Sequence, residues 1–247
     1  MDVCYEGTYL VDARDTGLCN QCRPSGILSI LQEAATMAGA ELGVARREML
    51  EKYNAIWMVA RMWYRLNRPL GWGERVTVRT WHRGDKGVSC YRDFDLEVDG
   101  RSVGEAVSIW VLADVDTRRL IRMSRIEEFA GTDGGSLRKD RLLGKVRVPE
   151  KMVLAGVRRF YYSDTDSNGH VNNVKYADYI CDALEMEQLV QDCFVSSFQV
   201  GYQRECRAGE EVSLYTGRAD GTLFVHGVDG GGTTRFDGVL TLDKIAP

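Results

Sequence analysis

Asp166, Asn168 and His170 stand at alternate positions in the densest polar stretch of this 247-residue sequence, Asp164 to Asn173. Their types suit acyl chemistry. A histidine exchanges a proton near neutral pH or donates a hydrogen bond. An asparagine amide orients water or substrate without titrating, and an aspartate can hold such neighbours in place. Gly169 lets the backbone approach a ligand closely. The stretch precedes a helix candidate, and helix amino ends carry unpaired N–H groups and partial positive charge. That is a place to polarise an acyl carbonyl and stabilise the oxyanion formed when water attacks it. The plainer reading is a polar capping loop.

A second cluster, Tyr202-Gln203-Arg204-Glu205-Cys206, puts an acid beside a thiol. On a strand the two face opposite sides, so only one can point at the polar loop. Glu205 there would act as the base that activates water. Cys206 there would act as a covalent nucleophile paired with His170 and Asn168. Glu205 is the preferred reading, because the thiol needs a depressed pKa to serve.

These groups need a scaffold, and its pattern occurs twice. Residues 5–22 read as an extended entry. Apolar residues at helical spacing from Ile27 to Leu42, fading near Leu50, predict a first helix capped by Ser25. Strand-like runs follow at 56–64, 75–80, 89–98 and 105–114. After a short strand at 157–162, a second helix is predicted from His170 to Leu184. Runs at 196–206, 211–218, 222–228 and 235–242 complete the second set, with Asp229-Gly230-Gly231-Gly232 as a turn. The connections are too short for helical crossovers, so the sheets should be antiparallel. The expected class is α+β, two helices each packed on an antiparallel sheet.

Composition closes off other classes. With net charge −4 and 44% hydrophobic residues the chain is globular and not broadly basic, so nucleic acid is not an expected partner. No run is long and apolar enough to span a membrane. The start lacks a secretory pattern, which predicts a cytoplasmic protein. The seven cysteines are irregularly spaced; Cys19-x-x-Cys22 has no second ligand pair, so no metal site is expected. Between residues 118 and 159, twelve Lys/Arg stand against five acids. This is either a solvated linker or a docking face for an acidic partner.

Several runs, in order, resemble the acyl-acyl carrier protein thioesterases of plants and bacteria: Gly26 to Ala34, Trp57 to Met62, Trp72 to Val76 with Thr80-Trp81, Arg92 to Phe94, Ser108 to Val111, and Asp116 to Leu120. In the second half Ser163 to Tyr176 is similar to the family's catalytic segment and Tyr202 to Cys206 to its second catalytic strand. The resemblance implies a double hot-dog fold. It implies an acyl-chain-binding N-terminal half (1–120), a basic linker (121–154) and a catalytic C-terminal half (155–247). It carries over Asp166, Asn168, His170 and Glu205 as catalytic, with Cys206 as the alternative nucleophile. Trp57, Met58, Met62 and Trp110 would line the acyl pocket, or serve as core. The implied partner is acyl carrier protein, docking on Arg118, Arg119, Arg138, Lys139, Arg141, Arg158 and Arg159. No cofactor is implied beyond the phosphopantetheine that arrives with the substrate, and the chain would act as a monomer or homodimer. Rival readings are a hot-dog acyl-coenzyme A thioesterase and a non-catalytic acyl-binding module; a dehydratase would need a His in one half facing an acid of the other, and the first helix shows no such polar pair. The chain is short beside the plant enzymes and shows no transit peptide, which predicts a bacterial-type cytoplasmic protein, and Tyr179 stands where many relatives have Trp.

Overall fold

The structure is a computed structural model that describes residues 4–130, 132 and 143–245. In chain order the strands and helices are β1 (Cys4–Leu10), α1 (Pro24–Glu41), α2 (Arg46–Tyr53), β2 (Ala55–Leu66), β3 (Arg75–Lys86), β4 (Ser89–Val98), β5 (Arg101–Asp114), β6 (Leu120–Ile121), β7 (Val153–Arg159), α3 (Lys175–Ala183), β8 (Cys193–Tyr202), β9 (Glu211–Ala219), β10 (Thr222–Asp229) and β11 (Thr234–Lys244). Two compact units form. One gathers residues 1–10, 29–62 and 74–143; the other gathers 11–28, 63–73 and 144–247. The segments 11–28 and 63–73 thus group with the C-terminal residues, which a linear division at residues 120 and 154 does not show.

The first unit holds strands in the order β1-β3-β4-β5-β2, with β6 on β5. β1 pairs antiparallel with β3, β3 with β4 and β4 with β5. Alternation explains β3: Val76, Val78 and Thr80 are buried while Arg75 and Arg79 are exposed. The predicted first helix is two helices. Gly43, with φ 71°, ends α1, and the Val44 N–H reaches back to the Gly39 carbonyl. Ser25 does not cap: the Arg23 carbonyl accepts the Ile27 N–H, so the helix begins at Pro24, whose missing N–H is no loss there. A buried cluster of Val44, Met49, Ala55, Cys90, Leu112, Met123, Ile126 and Phe129 fills part of this unit.

The second unit orders its strands β8-β11-β10-β9-β7, and each of these pairs is antiparallel. α3 packs against β11, β9 and β7. Its apolar face puts Tyr176, Ala177, Tyr179 and Ile180 inward, and the Tyr176 ring meets Phe236 edge-on at 4.9 Å. Close approach depends on Gly238, where an added Cβ would lie 2.5 Å from Ile180 Cδ1. The second helix is shorter than its periodicity predicts. Asn172 turns the chain before it: its Oδ1 accepts the Val174 N–H and its carbonyl accepts the Lys175 N–H, so helix starts only at Lys175.

Candidate active site

The predicted polar residues form one closed loop in the second unit. The Asp166 N–H donates to the His170 carbonyl at 2.8 Å, and the Gly169 N–H returns to the Asp166 carbonyl at 3.0 Å. Gly169 takes φ 74°, a conformation that costs glycine little. Asp166 Oδ1 accepts the Asn168 N–H at 2.8 Å. Asp166 therefore shapes the backbone that carries Asn168 and His170.

The neighbouring segment is tied to this loop. The Val171 N–H donates to the Cys206 carbonyl, and Phe160 exchanges backbone hydrogen bonds with Gly209 and Glu210. His170 Nε2 then lies 3.1 Å from Glu205 Oε2, with both side chains reachable from solvent. Arg207 Nη2 is 3.4 Å from the same ring nitrogen. An acid, an imidazole and an amide-bearing loop thus meet at one surface. Together they can hold a water and move its proton.

Glu205 and Cys206 do diverge, but not as members of a strand: β8 ends at Tyr202. Cys206 is fully buried. Burial pushes its thiol up, against the smaller effects of a hydrogen bond with the Tyr176 hydroxyl and of Arg235. The helix end also differs from expectation. His170 precedes α3 by several residues, and the Val174, Lys175 and Ala177 N–H groups are spent on Asn172 and Val174. Those three N–H groups are therefore not available to a ligand.

Residues the sequence reading did not single out hold the site in place. Arg235 Nη1 donates to the Glu205 carbonyl at 2.5 Å while its Nε donates to Asp229 Oδ2 at 2.8 Å. The Arg235 carbonyl accepts the Gln203 and Arg204 N–H groups. Asp229 is itself fixed by the Gly231 and Thr233 N–H groups. In the sequence, Asp229 shows only as an Asp heading a glycine turn. On the loop's other side Asp164 is buried; its carboxylate accepts the Tyr161 N–H and faces Arg158, and its carbonyl accepts the Asn172 N–H. Burial raises the Asp164 pKa, but the Tyr161 N–H and Arg158 contribute to an opposing pull that leaves it below the usual carboxylate range.

A cavity of about 470 Å³ opens in this unit, with Arg158, Asp164 and Lys175 among its polar lining and Ile27, Leu70 and Phe194 among its apolar lining. Trp57, Met58, Met62 and Trp110 do not line it. In the first unit Met62 is buried, Trp57 donates to the Val44 carbonyl at 2.8 Å and Trp110 donates to Ser108 Oγ at 2.7 Å. Trp57 and Trp110 are partly buried and pack against that unit's buried cluster. Among the basic residues, Arg158 is engaged inward on Asp164 and over the Tyr179 ring, whereas Arg159 is exposed and pairs with Glu211. Arg118 and Arg119 are exposed; Arg138, Lys139 and Arg141 lie outside the described residues. No helix among the described residues is long and apolar enough to cross a membrane.

Comparison with known proteins agrees with this architecture. Residues 2–129 match the acyl-ACP thioesterase N-terminal domain and residues 155–234 the acyl-ACP thioesterase C-terminal domain. The chain is 27% identical over 233 residues to oleoyl-acyl carrier protein thioesterase 1, chloroplastic, of Arabidopsis thaliana, covering 86% of this chain and 63% of that one. It is 31% identical over 196 residues to palmitoyl-acyl carrier protein thioesterase, chloroplastic, of Gossypium hirsutum, covering 76% and 44%. It thus spans less than two thirds of the length of these curated relatives. Among solved structures, 12:0-ACP thioesterase from Umbellularia californica superposes with TM-score 0.84 at 20% identity, covering 98% of each chain. An acyl-ACP thioesterase from Bacteroides thetaiotaomicron gives 0.78 at 19%, covering 97% and 98%. These likenesses show the shared hot-dog fold of the α+β class. With both domain models matched in order, the chain belongs to the acyl-ACP thioesterase family.

Proposed function

We propose that the chain hydrolyses the thioester of acyl-acyl carrier protein to free fatty acid and carrier protein. The observation that carries this reading is the 3.1 Å approach of His170 Nε2 to Glu205 Oε2 in a chain of this family. Glu205 takes the proton from water. His170 and Asn168 hold water and the thioester carbonyl, and Asp166 shapes the loop that carries them. The carrier's thiol leaves. Water is the only co-reactant, and phosphopantetheine comes with the substrate, so the reaction calls for no further cofactor.

Full burial and a raised thiol pKa weigh against Cys206 as nucleophile. Its carbonyl, holding Val171, has a positioning role instead. The acyl chain is assigned to the N-terminal half, with Trp57, Met58, Met62 and Trp110 as candidate lining. The carrier is assigned to exposed basic residues, Arg118, Arg119 and Arg159 among those described; an acidic partner is drawn to such residues over long range. Cytoplasmic placement belongs to the same proposal and rests on the sequence reading.

The test is release of free fatty acid from acyl-acyl carrier protein by the purified chain, with acyl-coenzyme A run in parallel. Faster turnover of the coenzyme A ester would replace the substrate class. Binding without release would make the chain an acyl-binding module.

A further inference from the structure

A second cluster of chemically active side chains lies in the first unit, remote in sequence from the polar loop. His82, Asp85 and Cys90 belong to the β3–β4 hairpin, and their potential ligand atoms all lie within 4.8 Å of one another. On a regular strand, residues three apart face opposite sides. Here the β3–β4 register shifts between His82 and Gly84, and Gly84 takes φ 125°. The extra residue resets the alternation, so His82 and Asp85 share a face. Cys90 is the direct cross-strand partner of Asp85 and therefore joins them.

Hydrogen bonding offers the imidazole two tautomers. The Thr132 hydroxyl lies 3.0 Å from the Phe129 carbonyl and 2.9 Å from His82 Nδ1, and its one hydrogen serves one of them. When it goes to Nδ1, the Nε2–H donates to Asp85 Oδ1 at 3.1 Å; when it goes to the carbonyl, Nδ1 carries the ring hydrogen and Nε2 presents a lone pair toward Asp85. The second tautomer is the one a metal requires, with the cation lying between Nε2 and the carboxylate. The third group, a thiol, favours a soft cation over a hard one.

We propose that His82 Nε2, Asp85 and Cys90 Sγ bind a divalent transition metal of the zinc type, with the fourth position open to water. Bonds of about 2.0–2.3 Å to such an ion put tetrahedral ligand atoms about 3.3–3.6 Å apart, and the observed 3.1 Å is close to that. Thr132 serves as the outer hydrogen-bond partner of that tautomer. His82 is 2% exposed and its ring lies 4.6 Å from Phe129 at a tilt of 38°, which shields the site. Asp85 is solvent-reachable and provides the way in.

The test is titration of chelator-treated, folded chain with Co²⁺, read by absorption. One equivalent should bind and give a thiolate-to-cobalt charge-transfer band with tetrahedral ligand-field bands. Cys90→Ser should abolish the charge-transfer band, and His82→Gln should weaken binding at least tenfold. Asp85→Asn, at the exposed side, should weaken binding while leaving the fold intact, which covers misfolding of the two buried variants. Zn²⁺ should displace Co²⁺ and raise Tm in the parent but not in Asp85→Asn. The band should survive the Cys19→Ser/Cys22→Ser pair. Loss of the band in that pair, its persistence in Cys90→Ser, or no saturable uptake by the folded parent would each overturn the site. In the last case a hydrogen bond from His82 Nε2–H to Asp85 accounts for the contact.

Discussion

Arg235 grips the main chain of Glu205, its Nη1 donating to the Glu205 carbonyl at 2.5 Å, while Glu205 itself turns outward to His170. One residue thus acts on the site through another's backbone. Asp229 braces the guanidinium from behind. Arg235→Ala should therefore lower kcat while leaving KM nearly unchanged. Displacement of a reacting group by an ångström costs about 100-fold, which sets the scale. Arg235→Lys should recover part of the rate, since it restores one donor but not the fork. An unchanged kcat in a folded Arg235→Ala protein would remove the positioning role.

Glu205→Gln keeps the shape of the side chain and removes the base. Loss of general-base catalysis costs about 100- to 10,000-fold in kcat. Because Glu205 is exposed, Tm should hardly move. Near-normal turnover on acyl-acyl carrier protein would dismiss Glu205 as the base, whatever Arg235 does.

Cys206→Ala discriminates the covalent route. With the thiol fully buried, the variant should retain most activity and lose about 1 kcal/mol of stability. Thiol-specific alkylation should likewise fail to inactivate the folded parent through this residue. Abolished turnover in a folded Cys206→Ala protein, or an acyl adduct trapped on Cys206 by mass spectrometry, would restore it as nucleophile.

Asp164 links stability to pH. Burial raises its pKa, yet hydrogen bonding and Arg158 leave it lowered in the folded chain. A lowered folded pKa means the unfolded chain binds the proton more readily, so stability rises with pH through this window. The contribution is present above the ordinary carboxylate pKa and disappears as pH falls through the lowered folded value. Asp164→Asn should be less stable than the parent at neutral pH, with the gap closing on acidification. Urea midpoints measured across that range will show it; a constant gap would contradict the assignment.

Gly238 tests the helix-to-sheet packing beneath the site. A methyl there meets Ile180 at 2.5 Å, and overpacking of this kind costs about 1–3 kcal/mol. Ile180→Val in the Gly238→Ala background should return part of the loss in thermal unfolding.

The local elements are written in short stretches of residues. Period-two alternation and turn residues are intrinsic to each strand, and β4 runs from Ser89 to Val98 as its pattern predicts. Asp166, Asn168 and His170 were also legible, because they are close along the chain and their types are unusual together. Helix ends were less so: Gly43 and Asn172 act through backbone conformation and single hydrogen bonds, which weigh little against a long apolar period. The remaining features depend on residues far apart along the chain. The approach of Glu205 to His170, the burial of Cys206, the Arg235 clamp and the inward pairing of Arg158 all depend on which backbones lie side by side. That proximity is set by sheet register and by packing of α3 on its strands, quantities no single stretch of residues encodes.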